Sequence, residues 1–313
     1  MLKEKKIQIV IAVISVIIIL ALCATAYLYF TKTWFFAEEE ISTEPIYTIE
    51  NYPKVDASTA TQPLAMAFYK DFTGKDGDFD AMNFTKTHQA YVKLINKEVD
   101  LILVTSPSEE ELALAKEKGM ELEVIPVVRE GFVFYVNNEN KVNNLTVKEV
   151  QDIYSGKIKN WQEVGGDDIA IKAYQRPVNS GSQTGMLELV MKDKKLMESP
   201  KEDIVDTMEQ IINLVATYSN DISAIGYSYY YYATTMYEEI DPSVANNIKL
   251  LSINGIKPKT ETIKDGTYPF TTSYYIVIDK TSKKDSPARV LANNMLSARG
   301  QKAALEAQYV PVK

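Results

Sequence analysis

Cysteine and histidine are almost absent from this 313-residue chain: Cys23 and His88 are the only examples. With no cysteine past residue 23, the bulk of the chain forms no disulfide, and its size must supply its stability. The same scarcity excludes Cys/His nucleophile pairs and most zinc arrangements. No motif places a general base beside Ser180 or Ser182, so the sequence reads as a non-enzyme, without catalytic residues, metal site or cofactor. His88 stands near a helix start and reads as structural or exposed. Positive charge is short as well: 34 Lys and Arg face 42 Asp and Glu, a net charge of −8. Residues 1–36 carry four lysines against one glutamate, which leaves −11 on the remainder. So acidic a surface argues against nucleic acid and other polyanions. A small anion is not excluded, because local amides and dipoles suffice to hold one. Repeats and long low-complexity segments are also missing.

The long hydrophobic run lies at the N terminus. Lys3, Lys5 and Lys6 precede a mostly apolar segment over residues 7–30. About 20 apolar residues span the hydrocarbon core of a bilayer. The run ends in Tyr27, Tyr29, Phe30, Trp34 and Phe35, residues suited to a membrane interface. The basic flank stays inside, so the rest lies on the extracytoplasmic side. Residues 1–36 are therefore expected to be a cytoplasmic tip and signal-anchor transmembrane helix, with 37–45 an acidic stalk. This makes the protein a single-pass component of the cell membrane. Leu20-Ala21-Leu22-Cys23 loosely resembles a lipoprotein box, but Leu22 stands where a small residue is wanted. Lipid attachment at Cys23 is the alternative tether.

The 277 residues beyond position 36 suit two lobes better than one core. Strand-like and helix-like segments alternate, which predicts an α/β fold with largely parallel sheets. Strands are expected at 101–104, 121–128, 132–136, 171–174, 224–227, 248–253 and 274–278. Helices are expected at 64–72, 87–97, 107–118, 147–154, 183–193, 203–218 and 285–307. The tyrosine-rich segment 227–232 reads as a strand running into a helix start, with its rings packed.

Three helix starts have the chemistry of an anion site, where unpaired amides and the helix dipole meet hydroxyl donors. The first is Asp56-Ala57-Ser58-Thr59-Ala60-Thr61-Gln62-Pro63, with proline in the first turn. The second is Thr105-Ser106-Pro107-Ser108-Glu109, in which Ser106 and Glu109 form a capping box and Gly119 closes the helix. The third is Arg176-Pro177-Val178-Asn179-Ser180-Gly181-Ser182-Gln183-Thr184. There Gly181 permits close approach, Ser180, Ser182 and Thr184 offer hydroxyls, and Arg176 can grip an oxyanion.

At these residues the chain resembles the phosphate-binding proteins of bacterial phosphate ABC transporters and their relatives. That family carries an Arg-x-x-x-Ser-Gly-Thr/Ser turn, matched by Arg176, Ser180, Gly181 and Ser182, and an Ala-Thr-x-Pro-type helix start, matched by Ala60, Thr61 and Pro63. Asp152-Ile153-Tyr154-Ser155-Gly156, Ala224-Ile225-Gly226-Tyr227 and Gly266-Thr267-Tyr268-Pro269-Phe270 also look like family landmarks. The resemblance implies a type II periplasmic-binding-protein fold: two α/β lobes, 46–131 plus 273–313 and 132–272, joined by two hinge strands around a ligand cleft. It implies a monomeric solute-binding protein that captures inorganic phosphate, or a similar small oxyanion, for the permease subunits of an ABC importer. A non-transport sensor or partner-binding module on the same fold is the alternative. The expected ligand residues are Ser58, Thr59, Ala60, Thr61, Gln62, Thr105, Ser106, Arg176, Ser180, Gly181, Ser182 and Thr184. One departure matters. Phosphate members carry an aspartate on the second turn, and here that turn reads Thr105-Ser106-Pro107. Asp56 is the candidate replacement acceptor, and sulfate or another anion stays open as the ligand.

Overall fold

The two segments expected as separate strands at 121–128 and 132–136 fold as one, β3, Leu122–Asn137. Glu130 and Gly131 make no turn between them. A Cβ at position 131 would come within 2.7 Å of the Ile263 side chain, so this glycine serves close packing of a helix on an extended strand. The computed structural model describes residues 42–77, 84–217 and 222–312, and β3 is the spine of its eight-stranded sheet.

β3 changes partners part-way along. From Leu122 to Gly131 it runs antiparallel to β9, Thr271–Asp279, with β10, Val310–Pro311, on Val128 and Arg129. From Phe132 onward it pairs antiparallel with β6, Ala224–Tyr229, and with β7, Ile248–Leu250. Beyond β9 lie β2, Leu101–Val104, and its parallel neighbour β1, Val55–Ala57. Beyond β6 lies the short parallel β5, Lys172–Ala173. β4, Asn144–Leu145, and β8, Ser252–Ile253, make a separate ribbon.

The main helices are α1 (Gln62–Thr73), α2 (Thr87–Ile95), α3 (Glu109–Glu117), α4 (Val147–Tyr154), α5 (Gly181–Gly185), α6 (Met208–Thr217), α7 (Thr260–Lys264), α8 (Pro287–Leu296) and α9 (Ala298–Glu306). Strand β2 explains why they flank the sheet on two sides. Leu101 and Leu103 enter the main core, while Ile102 and Val104 join Tyr91, Leu94, Ala115 and Met120 in a second cluster under α2 and α3. Burial on both faces turns the usual alternation into a continuous apolar run.

Several boundaries differ from expectation. The second helix start is capped by Ser108 with Glu111, not by Ser106 with Glu109, so Pro107 stands outside the helix. The helix expected at 183–193 starts at Gly181 and passes into a π-helical turn, Met186–Met191. The one expected at 285–307 is two, broken where the Ser297 hydroxyl accepts from the Gly300 amide at 3.2 Å. In the tyrosine-rich segment the rings do pack: Tyr227, Tyr229, Tyr231 and Tyr232 are buried, and Tyr231 stacks on Tyr309 at 3.8 Å. The expected transmembrane helix at 7–30 and most of the stalk lie outside the described residues. Among the described residues no helix is long and apolar enough to cross a membrane.

Glu130 sits where β3 changes partners, 2% exposed, and its Oε1 accepts from the amides of Gly131 (2.8 Å) and Tyr231 (3.2 Å). Burial pushes its carboxyl up from 4.5 to about 7, against the lowering effect of those amides. A raised carboxyl contributes stability that is full below about pH 4.5 and is lost as pH rises through about 7. Glu130→Gln removes that loss. Its melting temperature relative to wild type should climb between about pH 4.5 and pH 8, and a difference independent of pH would show that Glu130 does not titrate in this range.

Candidate functional site

Two cavities of similar size lie among the described residues that bear on the site. One, of about 590 Å³, is lined by Glu130, Tyr231, Tyr309 and residues around them. The other, of about 540 Å³, is where the predicted helix starts meet. Ser58, Thr59 and Ala60 line it from the turn before α1, Thr105 from the end of β2, and Arg176, Ser180, Gly181 and Ser182 from the turn before α5.

Partnerless donors distinguish this second cavity. Seven buried side-chain polar atoms among the described residues have no hydrogen bond, and four belong to its walls: Thr105 Oγ1, Arg176 Nε, Arg176 Nη1 and Ser182 Oγ. Leaving a buried polar group unpaired costs about 1–3 kcal/mol, so a cluster of such groups points to a ligand that satisfies them together. Arg176 is 8% exposed and held from behind: its amide donates to Tyr227 Oη (3.0 Å) and Gln183 Oε1 (3.1 Å), and its Nη2 donates to the Asp206 carbonyl (2.8 Å). Burial pushes the guanidinium down from its usual value, and the surrounding tyrosines and Asp206 oppose this. The group stays protonated, since arginine does not lose its proton in proteins.

Close approach makes the cavity what it is. A Cβ added to Gly181 would lie 2.6 Å from Thr105 Oγ1 and 2.7 Å from Thr87 Oγ1. Gly181 is needed here for space, since it is Asn179, two residues earlier, that takes the left-handed conformation (φ 64°). Ser180 caps α5, its Oγ accepting from the Gln183 amide at 3.3 Å.

Other predicted residues do not line the cavity. The Thr61 hydroxyl donates to the Leu103 carbonyl (2.5 Å) and is fully buried, which pins the first turn to β2. Gln62 opens α1, its amide on the Ser58 carbonyl at 3.0 Å. Ser106 Oγ donates to Glu188 Oε2 at 2.5 Å. Thr184 is buried inside α5. Asp56 is correctly placed in the first turn, but its carboxylate is consumed. It accepts from the amides of Ala57 and Thr85 and the Thr85 hydroxyl, each at 2.7 Å, and pairs with Lys93 at 3.0 Å. Both of its oxygens are thus engaged elsewhere, and Asp56 does not line the cavity.

Sequence reasoning missed two further walls. Lys86, Thr87, His88 and Gln89 enter at the start of α2, and Asp206, Thr207, Met208 and Glu209 at the start of α6, with Tyr229 and Tyr232. The hydroxyl and lysine ahead of an expected helix at 87 were visible, but nothing local said that this start would face the others. His88 both borders the cavity and places Nδ1 3.1 Å from Glu111 Oε1. The lining carboxylates, Asp206 and Glu209, are exposed at the rim, so the buried part presents hydroxyls and the Arg176 guanidinium without a carboxylate.

A family model described as the PBP superfamily domain matches residues 49–298. The chain belongs to that superfamily. Curated relatives include the phosphate-binding protein PstS of Bacillus subtilis, 26% identical over 223 residues, 69% of this chain and 66% of that protein. PstS of Staphylococcus epidermidis is 29% identical over 233 residues, 72% of this chain and 67% of that one. Among solved structures, this PBP domain is similar to an ABC-type phosphate transport receptor from Vibrio cholerae: TM-score 0.59, 18% identity, 82% of this chain and 98% of that one. It is also similar to a phosphate-binding protein from Stenotrophomonas maltophilia: TM-score 0.54, 13% identity, 83% and 91% coverage. At such identities the structures establish the α/β fold of the PBP type.

Gly181→Ala tests the close approach. Overpacking costs about 1–3 kcal/mol, so the affinity for a ligand held in this cavity should fall roughly 5- to 150-fold while the melting temperature stays within a few degrees. An unchanged affinity, read by calorimetric titration, would show that the turns need not meet this closely.

Proposed function

We propose that this PBP domain is the extracytoplasmic, membrane-tethered solute-binding protein of an ABC importer, and that it captures inorganic phosphate through Arg176, Ser182, Thr105 and the helix starts around them. The observation that carries the reading is the cluster of buried donors without partners, contributed by separate turns to one cavity. The named activity of the curated relatives and of the receptor from Vibrio cholerae points the same way. In this reading the partner change in β3, together with β9 beside it, is the hinge between lobes 46–131 plus 273–313 and 132–272. Thr87 joins Ser58, Thr59, Ala60, Ser180 and Gly181 in the ligand set. The domain acts by binding and release, as a monomer delivering to permease subunits, and the apolar segment 7–30 supplies the tether.

One observation favours a broader ligand range. A hydroxyl can donate or accept, whereas a carboxylate facing a fully deprotonated anion adds buried like charge. With Thr105 at the second turn and no carboxylate in the buried part, the site accepts phosphate and rejects sulfate or arsenate only weakly.

Two titrations test this. A charge-assisted contact is worth about 1.5–3 kcal/mol, so Arg176→Ala should weaken phosphate binding by roughly 10- to 150-fold with the fold intact. Normal affinity and normal thermal stability together would remove Arg176 from the site. Thr105→Asp should lower sulfate affinity by about tenfold or more relative to phosphate. If wild type binds neither anion at millimolar concentration, the oxyanion reading fails and only the fold stands.

A further inference from the structure

Ser106 looks like a capping or ligand residue in the sequence, and in the structure it neither caps α3 nor lines the cavity. Ser108 and Glu111 cap α3 between them, which leaves Ser106 for another partner. The Ser106 hydroxyl donates to Glu188 Oε2 at 2.5 Å, across 82 residues of sequence. Asn179 Nδ2 donates to Glu110 Oε2, across 69 residues. Each bond joins the turn or first turn of α3 to the segment that carries the Arg176–Ser182 turn and its π-helical continuation. In each a neutral donor meets a carboxylate, which makes the bond charge-assisted. Asn179 holds a left-handed backbone conformation, which asparagine adopts more readily than other non-glycine residues. The two bonds lie on either side of the close contact between Gly181 and the Thr105 and Thr87 hydroxyls, in sequence terms: one from the residue after Thr105, the other from the residue before Ser180.

On the two-lobe reading given above, both bonds cross the cleft. We propose that Ser106–Glu188 and Glu110–Asn179 are paired latches that hold the lobes closed and set ligand affinity without Ser106, Glu110 or Glu188 touching the ligand. The physical consequence is specific. A contact between protein groups stabilises the closed state by the same amount whatever anion is inside, because apparent affinity scales with the closed fraction. A residue that touches the ligand changes the ratio of affinities for different anions. A latch leaves that ratio alone and acts on release.

The experiment uses Ser106→Ala, Glu188→Ala and the double variant in the whole protein, titrated with phosphate and with sulfate, plus Glu110→Ala for the second latch. Exposed charge-assisted bonds are modest in strength, so each single variant should bind phosphate about 2- to 10-fold more weakly. Sulfate affinity should drop by the same factor, and the phosphate dissociation rate should rise to match. The double variant should be no weaker than either single one, since both remove the same bond. Small-angle scattering of the ligand-free protein should give a larger radius of gyration for Glu188→Ala than for wild type. Additive losses, a changed phosphate-to-sulfate ratio, or unchanged affinity in both single variants would overturn the latch. If wild type binds neither anion, the binding reading fails by itself. The latch is then decided by scattering alone: an expanded Glu188→Ala protein supports it and an identical radius overturns it.

Discussion

The continuity of β3 is the constraint on which the rest depends. A sixteen-residue strand pairs with β9 along its first part and with β6 and β7 along its second. Because the backbone does not break at Gly131, the helices of the two halves are built outward from a common strand. The turns that end β2 and precede α5 can then meet. Glu130 stands at the partner change and ties β3 to the amide of Tyr231, just past β6. A buried carboxylate with near-neutral titration is an unusual fastener for such a place, and it holds through amide donors and not through a cation.

The cavity follows from a shortage of partners. Turns that would ordinarily be satisfied by local capping are satisfied only in part: Ser180 caps α5, while Ser182, Thr105 and two nitrogens of Arg176 are left buried and unpaired. Natural interiors rarely tolerate this, and four such atoms in one cavity are best understood as a site made for an acceptor-rich ligand. The negative net charge of the chain does not oppose it. Asp206 and Glu209 stay at the exposed rim, and Asp56 is neutralised by Lys93 and three hydrogen bonds from Ala57 and Thr85. For a small anion, local amides and hydroxyls matter more than the net charge of the distant surface.

Much of this was legible in the residues. The apolar run at 101–104 and the helix at 147–154 come straight from periodicity. The turn Arg176–Ser182 announced itself by an arginine, hydroxyls and a glycine at a strand-to-helix junction. Eight of the twelve expected ligand residues line the cavity. Three residues with suitable chemistry do not line it, for one reason. Thr61, Ser106 and Asp56 carry suitable chemistry and lie in or next to suitable turns, but each spends its polar atoms on Leu103, Glu188, or Thr85 and Lys93.

The sequence by itself determined the α/β alternation and the three hydroxyl-rich helix starts. These follow from local periodicity, capping preferences and composition, which act over a few residues. Only the tertiary structure decided which starts converge, that Thr87 and the start of α6 join them, and that Ser106 reaches 82 residues to Glu188. It also decided that Gly131 sits inside a strand and not at a turn. The reason is that a side chain's partners are set by pairing across β3, and no residue records in its own neighbourhood what the far side of the sheet will bring to it.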